Sequence, residues 1–381
     1  MAVMKIQEEL NRLKGEHLYR QRRIISSNKE FPLIEIDSRE LVNFGSNNYL
    51  NLGNRIDKKL YQDLSENGLI QQASPLISGY TKWHQDLEIK LAKMKSREAS
   101  LLFSSGFTAN LATITSLCQE SDLLLIDKLS HASIMETTKY KDINYRVFPH
   151  KNYDYMDKIL EKNRDRYNEI FIVTDTLFSM DGDMANLKKL RFFAEKYNAY
   201  IICDDAHATG VYGSKGSGLA TRSAIKGYDK LIITGTLSKA MQAYGGFVAA
   251  DHDIIELLVN KAKPYIYNTA LPLVHVLSAL NALEHVEQAT QQRQLWQNIC
   301  YLKKRLDKKF SVPYSPIFPI VIGDNEKVVE LSQSLLENGF FVPAIRYPTV
   351  PKKKAMLRIS ISAGHSKKQL EDLAKIINTG I

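Results

Sequence analysis

The feature that most constrains this chain is a pattern repeated through its middle: a short apolar, β-branched run stops at a polar loop, and an amphipathic stretch with helical spacing follows. Four such runs stand out, at residues 99–103, 169–174, 199–203 and 230–234. They lead into Ser-Ser-Gly-Phe, Asp-Thr-Leu-Phe-Ser-Met-Asp-Gly-Asp, Asp-Asp-Ala-His and Gly-Thr-Leu-Ser-Lys. Strands joined through helices form a sheet whose connections cross over its faces, so the pattern predicts an α/β fold with a large, mostly parallel sheet flanked by helices. Ligands of such sheets bind beyond the carboxyl ends of the strands. Four loops carrying Ser, Asp, His and Lys at that edge therefore describe one site.

Beyond Pro272 a helical pattern carries the chain past Phe310, and strand-like runs follow at 318–322 and 356–361, which reads as a smaller α/β C-terminal domain. The first 17 residues read as a short amphipathic helix without the apolar core or cleavage site of a signal peptide. Residues 41–44 look like a strand with no neighbour, so the segment before Tyr49 is expected to pack on the C-terminal domain or on a partner subunit. The expected division is 1–50, 51–270 and 271–381. A composition of 44% hydrophobic and 24% charged residues excludes disorder, and no apolar run approaches the roughly 20 residues of a membrane span. Cys118, Cys203 and Cys300 are widely spaced in apolar surroundings, which indicates neither a disulfide framework nor a zinc cluster and suits a reducing cytoplasm. The net charge of +9 suits acidic metabolites and acidic partners as well as polyanions. Its basic residues are dispersed and lack interleaved aromatics, so nucleic acid is not expected as a partner.

Lys239 ends the loop after the run at 230–234. A lysine that forms a Schiff base must share its pocket with groups that tune the bound aldehyde; for pyridoxal phosphate that includes a carboxylate at the pyridine nitrogen. Asp204 follows the run at 199–203 and offers that carboxylate, although by itself it also fits a helix cap, the role expected of Asp205. His207, three residues on, can reach the phenolic oxygen of the same ring. No second histidine stands at ligand spacing from it, so no metal is expected. His131 opens a helix after a strand at 123–127 and fits either stacking on a cofactor ring or a surface position. Ser179 offers a hydroxyl after the run at 169–174. A phosphate needs backbone donors at a helix start, and Ser105-Gly106-Phe107-Thr108 supplies a turn into a helix expected from Ala109, with Thr236 adding a hydroxyl.

With those residues in view, the sequence resembles the α-oxoamine synthases, fold-type I pyridoxal-phosphate enzymes that condense an amino acid with an acyl thioester and release CO2. The matching motifs are Leu-Ser-His-Ala-Ser at 129–133, Phe-Ser-Met-Asp-Gly-Asp at 178–183, Asp-Asp-Ala-His-Ala-Thr-Gly-Val-Tyr-Gly at 204–213 and Gly-Thr-Leu-Ser-Lys-Ala at 235–240. The resemblance implies pyridoxal 5′-phosphate on Lys239, with catalytic roles for His131, Asp204 and His207. Gly106, Phe107, Ser179, Thr236 and Thr269 are implied at the cofactor, Thr269 reaching the phosphate across the interface of a homodimer. Arg20, Asn47, His131, Thr349 and Arg358 are implied at the substrates, Arg358 holding the amino acid's α-carboxylate. The segment Ala-Ile-Arg-Tyr-Pro-Thr-Val-Pro at 344–351 and the Asp-Asp-Ala-His-Ala-Thr-Gly form favour the branch that joins L-alanine to a pimeloyl thioester, carried by acyl carrier protein or coenzyme A. The alternative is a sister enzyme such as glycine C-acetyltransferase or one condensing serine with a long acyl chain. Two segments depart from the family: residues 71–76 lack the usual glycines, and Gln242 stands where glycine is common.

Overall fold

The structure is a computed structural model that describes residues 2–380 apart from 17, 21, 27–29, 53–57, 68–72, 141 and 223. Two compact units are present, the larger comprising Leu50–Ser179 and Asp183–Arg293, the smaller Met1–Tyr49, Met180–Gly182 and Gln294–Ile381.

The larger unit is built on a seven-stranded sheet. Its spatial order is Ala99–Phe103, Gly246–Ala250, Leu231–Thr236, Tyr200–Asp204, Ile170–Asp175, Leu123–Asp127, Asn144–Phe148. The last five pair in parallel. Gly246–Ala250 runs antiparallel to both of its neighbours. Every residue of Leu123–Asp127, Ile170–Asp175 and Leu231–Thr236 is buried, as a sheet covered on both faces requires. On one face Leu124, Ile126, Val173, Ile202 and Val248 form a core with Ala109, Ala112 and Ile114 of the helix Gly106–Leu117. Each large aliphatic side chain buried there contributes roughly 1.5–3 kcal/mol. Because strand residues alternate between faces, Asp204 shares the side of Ile202 and points toward that helix, while the chain turns Asp205 to the opposite side.

The sheet edge is more extensive than the sequence suggests. Asp204 is the last strand residue rather than the first loop residue, and Gly235 and Thr236 still belong to their strand. The helix expected from Ala109 begins at Gly106. Ser105 explains the shift, since its side chain accepts the Thr108 N–H at 3.1 Å and satisfies an orphan donor one turn earlier. The long pattern after Pro272 is two helices, Leu273–Glu287 and Thr290–Arg305, broken where Ala289 adopts φ +56°. The first lies wholly in the larger unit, so the units part at Arg293/Gln294 rather than at 270/271.

In the smaller unit Leu33–Ile36 pairs antiparallel with Arg39–Asn43, and Phe340–Phe341 adds to Arg39–Asn43 in parallel. The strand expected to stand alone therefore has a neighbour on each side, one of them about 300 positions away. A second sheet joins Ile317–Gly323, Ala355–Ser360 and Ala344–Ile345 antiparallel. The helix Lys367–Gly380 buries Leu370, Leu373, Ala374 and Ile377, the spacing of a one-sided apolar stripe. Among the described residues no helix is long and apolar enough to cross a membrane. Cys118 and Cys203 are buried, but Cys300 is exposed, contrary to the apolar setting expected for it.

Candidate active site

Asp204 is buried at the carboxyl end of its strand. Asn110 Nδ2 donates to its Oδ2 at 2.6 Å, and the backbone N–H of Ala206 donates to Oδ1 at 2.9 Å. Asn110 is itself oriented: Thr234 Oγ1 donates to its Oδ1 at 2.6 Å, and its Nδ2 also reaches Ser133 Oγ at 2.9 Å. Neutral donors thus aim the carboxylate. No regular helix follows, so neither Asp204 nor Asp205 caps one. Asp205 instead pairs with Lys95, whose Nζ donates to Asp205 Oδ2 at 2.7 Å, Thr209 Oγ1 at 2.7 Å and Ser217 O at 2.8 Å. Asp205 Oδ1 accepts from Thr176 Oγ1 at 2.6 Å and from Leu219 N at 3.1 Å. The role of Asp205 is structural, but through a buried ion pair rather than a cap.

His131 begins the short helix Ala132–Glu136 and its Nδ1 lies 2.7 Å from Ser133 Oγ. Its backbone N–H donates to Asp175 Oδ1 at 2.9 Å, and the Phe107 ring meets its ring edge-on at 6.4 Å. Burial pulls the His131 imidazole below its ordinary pKa; the Asp204 charge opposes this and the Lys239 charge reinforces it. A neutral ring with an apolar face results. Burial, followed by the Asp204 charge, pushes the Asp175 carboxyl well above the ordinary carboxylate range, with Lys239 acting in the opposite sense. These mutual influences place His131, Asp175, Asp204 and Lys239 in one neighbourhood. Lys239 is half-buried in a tight turn closed by Gln242 N–H to Lys239 O at 3.2 Å. Gln242 sits there at φ +52°, which accounts for the glycine the family uses, and its Oε1 is buried without a hydrogen-bond partner. His207 is buried in the turn after Asp204. Ser179 is half-buried in a hairpin pinned by the Leu177–Met184 bridge and by Phe178 N–H to Asp183 O at 2.9 Å.

The start of the helix Gly106–Leu117 approaches Thr236 because glycine occupies the first position of Gly246–Ala250. A Cβ on Gly246 would lie 2.3 Å from the Ser105 carbonyl and 2.4 Å from Gly106 N. A Cβ on Gly106 would meet Thr236 Cβ at 3.1 Å. The resulting cradle offers the unpaired amides of a helix start together with the hydroxyls of Thr236 and Ser238, 2.8 Å apart. This donor set fits a phosphate. Thr269 is exposed; its neighbour Asn268 donates to Ser104 Oγ at 3.1 Å. Of the altered segment 71–76, Gln71 and Gln72 lie outside the described residues. The remainder enters a single π-helical turn, Pro75–Gly79, whose last residue packs so closely on the preceding segment that a Cβ on Gly79 would lie 2.2 Å from Ala73 O.

The smaller unit gathers the other residues into two pairs. Arg358 is buried and donates from Nη1 to Ser360 Oγ at 2.7 Å and from Nη2 to Asn47 Oδ1 at 3.1 Å. Arg20 Nη2 reaches Thr349 Oγ1 at 3.4 Å. Burial, followed by the Arg20 charge, pulls the nearby Arg346 guanidinium below its ordinary pKa. Sequence reasoning missed Asn110, which holds Asp204, and the roles of Ser133 and Thr234, which orient Asn110. Asn110 did leave a signal, as a buried amide within the apolar helical stretch that follows Gly106.

The family model for aminotransferase class I and II matches residues 39–377. The 8-amino-7-oxononanoate synthase of Thermoanaerobacter pseudethanolicus is 38% identical over 378 residues, covering 97% of this chain and 95% of its own. The crystal structure of 8-amino-7-oxononanoate synthase from Francisella tularensis is 29% identical with a TM-score of 0.74, covering 89% of this chain and 97% of that one. A serine palmitoyltransferase from S. paucimobilis, holding a pyridoxal phosphate–myriocin aldimine, is 25% identical with a TM-score of 0.89, covering 98% and 96% of the two chains. The expected fold, pyridoxal-phosphate transferase fold type I, is the one these structures share with this chain. Likeness that spans nearly the whole sequence decides its place: the chain belongs to the aminotransferase class I and II family and, within the α-oxoamine synthases, to the 8-amino-7-oxononanoate synthases, pyridoxal-phosphate-dependent acyltransferases of biotin biosynthesis.

Proposed function

We propose that the protein joins L-alanine to a pimeloyl thioester, releasing CO2 and a free thiol and leaving 8-amino-7-oxononanoate. The contact between Arg20 and Thr349, 329 positions apart in the chain, carries this reading. A guanidinium and a hydroxyl held together suit the free carboxylate of a dicarboxylic chain, whereas a monocarboxylic acyl tail offers them nothing to bind. Arg358, oriented by Ser360 and Asn47, takes the α-carboxylate of alanine until it leaves as CO2.

On this reading Lys239 and Asp204 hold pyridoxal phosphate by its aldehyde carbon and pyridine nitrogen. His207 and Ser179 serve the ring's polar edge. Gly106, Phe107 and Thr236 serve the phosphate, joined by Thr269 from the other subunit of a homodimer. The bound cofactor supplies an electron sink that lets the Cα proton and later CO2 depart. The chain's own groups do the rest. Lys239 Nζ takes the proton from Cα, Asp204 keeps the ring nitrogen protonated, and neutral His131 covers the ring face and excludes water. The donor arrives on acyl carrier protein or coenzyme A, both anionic and both matched to a chain of net charge +9 in the cytoplasm.

Mass spectrometry of the product tests the proposal, with purified protein given L-alanine, glycine or serine and pimeloyl, acetyl or palmitoyl thioesters. The expected result is 8-amino-7-oxononanoate from alanine and the pimeloyl donor. Product only from glycine or serine would move the protein to a sister α-oxoamine synthase and leave Arg20 and Thr349 with a structural role.

A further inference from the structure

His150 follows the strand Asn144–Phe148 and lies outside the motifs that led to the site. Its Nδ1 is 2.9 Å from Asp127 Oδ1 and its Nε2 is 3.1 Å from Asp183 Oδ2. A neutral imidazole has one N–H, so both contacts are hydrogen bonds only when both ring nitrogens carry protons. Other groups surround it on every side. Lys151 Nζ bonds Asp183, and its backbone N–H donates to Asp127 Oδ2 at 3.0 Å. Phe178 meets the ring edge-on at 4.3 Å. Tyr153 OH accepts the Asn186 N–H at 2.6 Å, and the Asp127 charge adds to the upward push on the Asp175 carboxyl of the neighbouring strand.

The two carboxylates serve two different loops of the site. Asp127 shapes the approach to His131, accepting the Leu129 N–H at Oδ1 at 2.9 Å and the Ser130 N–H at its carbonyl at 3.0 Å. Asp183 closes the hairpin that carries Ser179. We infer that His150 is a positioning residue that clamps the His131 loop to the Ser179 hairpin, fixing the spacing between two groups that contact the cofactor. The inference rests on the cofactor reading of those two residues. Burial pulls the His150 imidazole down, but the hydrogen bonds to Asp127 and Asp183 outweigh it and push the pKa up to about 9. The clamp is therefore closed at neutral pH and opens as pH rises through that value.

The test is pyridoxal phosphate affinity, measured by titrating the cofactor-free chain, in a double-mutant cycle of His150→Gln and Ser179→Ala. At pH 7.5, His150→Gln is expected to weaken binding by about three- to ten-fold, a fraction of the loss when a charge-assisted hydrogen bond is removed. In the Ser179→Ala background the factor should fall below about two-fold, and raising the pH to 10 should close the gap between His150→Gln and wild type. A purely structural histidine lowers the unfolding midpoint but leaves the affinity unchanged, or changes it by the same factor in both backgrounds; either result overturns the clamp. If His150→Gln does not fold, Asp183→Asn is read in the same cycle. A wild-type chain that binds no pyridoxal phosphate would instead fail the cofactor reading, and this inference with it.

Discussion

Asp204 and Asp205 are consecutive in sequence and lie on opposite sides of the same sheet. Asp204 accepts from oriented neutral donors, Asn110 Nδ2 and the Ala206 amide. Asp205 meets a fully buried ammonium, Lys95, and further donors from Thr176, Thr209, Leu219 and Ala220. On the proposed function the first aspartate serves the cofactor; the second, paired with Lys95, holds the helix Lys82–Lys95 and the turns after Thr209 against the sheet. Function and architecture are thus separated by one residue and by the pleat of a strand.

The comparison is most exposed at Lys95. Replacing it with Met leaves Asp205 as an uncompensated buried charge, and denaturant unfolding should show a loss of about 3–5 kcal/mol; a loss below about 1 kcal/mol would break the contrast between the two faces. Asp204→Asn should act in the opposite way, lowering turnover by about 10²–10³-fold while unfolding stays within about 1 kcal/mol of wild type. Equal destabilisation by the two changes would make both aspartates structural. A third probe asks what a charge costs on the Lys95 side when no cation meets it. Glu88 lies on the Lys95 helix and accepts from Tyr80 OH at 2.6 Å and Leu102 N–H at 2.9 Å. Burial pushes its pKa up to about 7 against both hydrogen bonds. The folded chain then holds this proton more tightly than the unfolded one, so the contribution is full below the unfolded pKa of about 4.3 and is lost as pH rises to about 7. Glu88→Gln should therefore gain stability over wild type between pH 5 and pH 8, by about 1–3 kcal/mol. A pH-independent difference would show that the carboxylate is not desolvated. The smallest effect is expected beside Lys239, where Gln242→Gly relieves a left-handed backbone and should raise stability by about 0.5–1 kcal/mol. No gain would mean that the side chain repays its strain elsewhere.

The legible parts of the molecule are those written locally. An apolar run followed by a polar loop marks each strand and its carboxyl end, so the loops carrying Asp204, Lys239 and Ser179 can be set at one sheet edge from the pattern, while His131 fits either a cofactor ring or a surface position until the family resemblance is added. The groups that orient them are far away in the chain: Asn110 is 94 positions from Asp204, and Asn47 is 311 from Arg358. Such contacts are decided by which helix packs on which face, and no window of sequence contains that. Boundaries erred where a side chain or a backbone torsion intervened. Ser105 capped a helix early, and Ala289 broke one without a glycine or proline to announce it. The partner of Arg39–Asn43 was hidden for the same reason as Asn110, since it comes from the other end of the chain.

The reversed strand Gly246–Ala250 has a consequence for how the edge selects a guest. Three carboxyl strand ends bring Asp127, Asp175 and Asp204 to one side of it, while the reversed strand contributes an amino end that lets the start of the helix Gly106–Leu117 come close. The edge is therefore polarised along its length, acidic at one end and rich in N–H and O–H donors at the other. On the proposed function, an elongated cofactor with an anion at one tip and a protonated nitrogen at the other finds complementary groups in one orientation and mismatched ones in the reverse, so its heading is chosen before Lys239 is engaged.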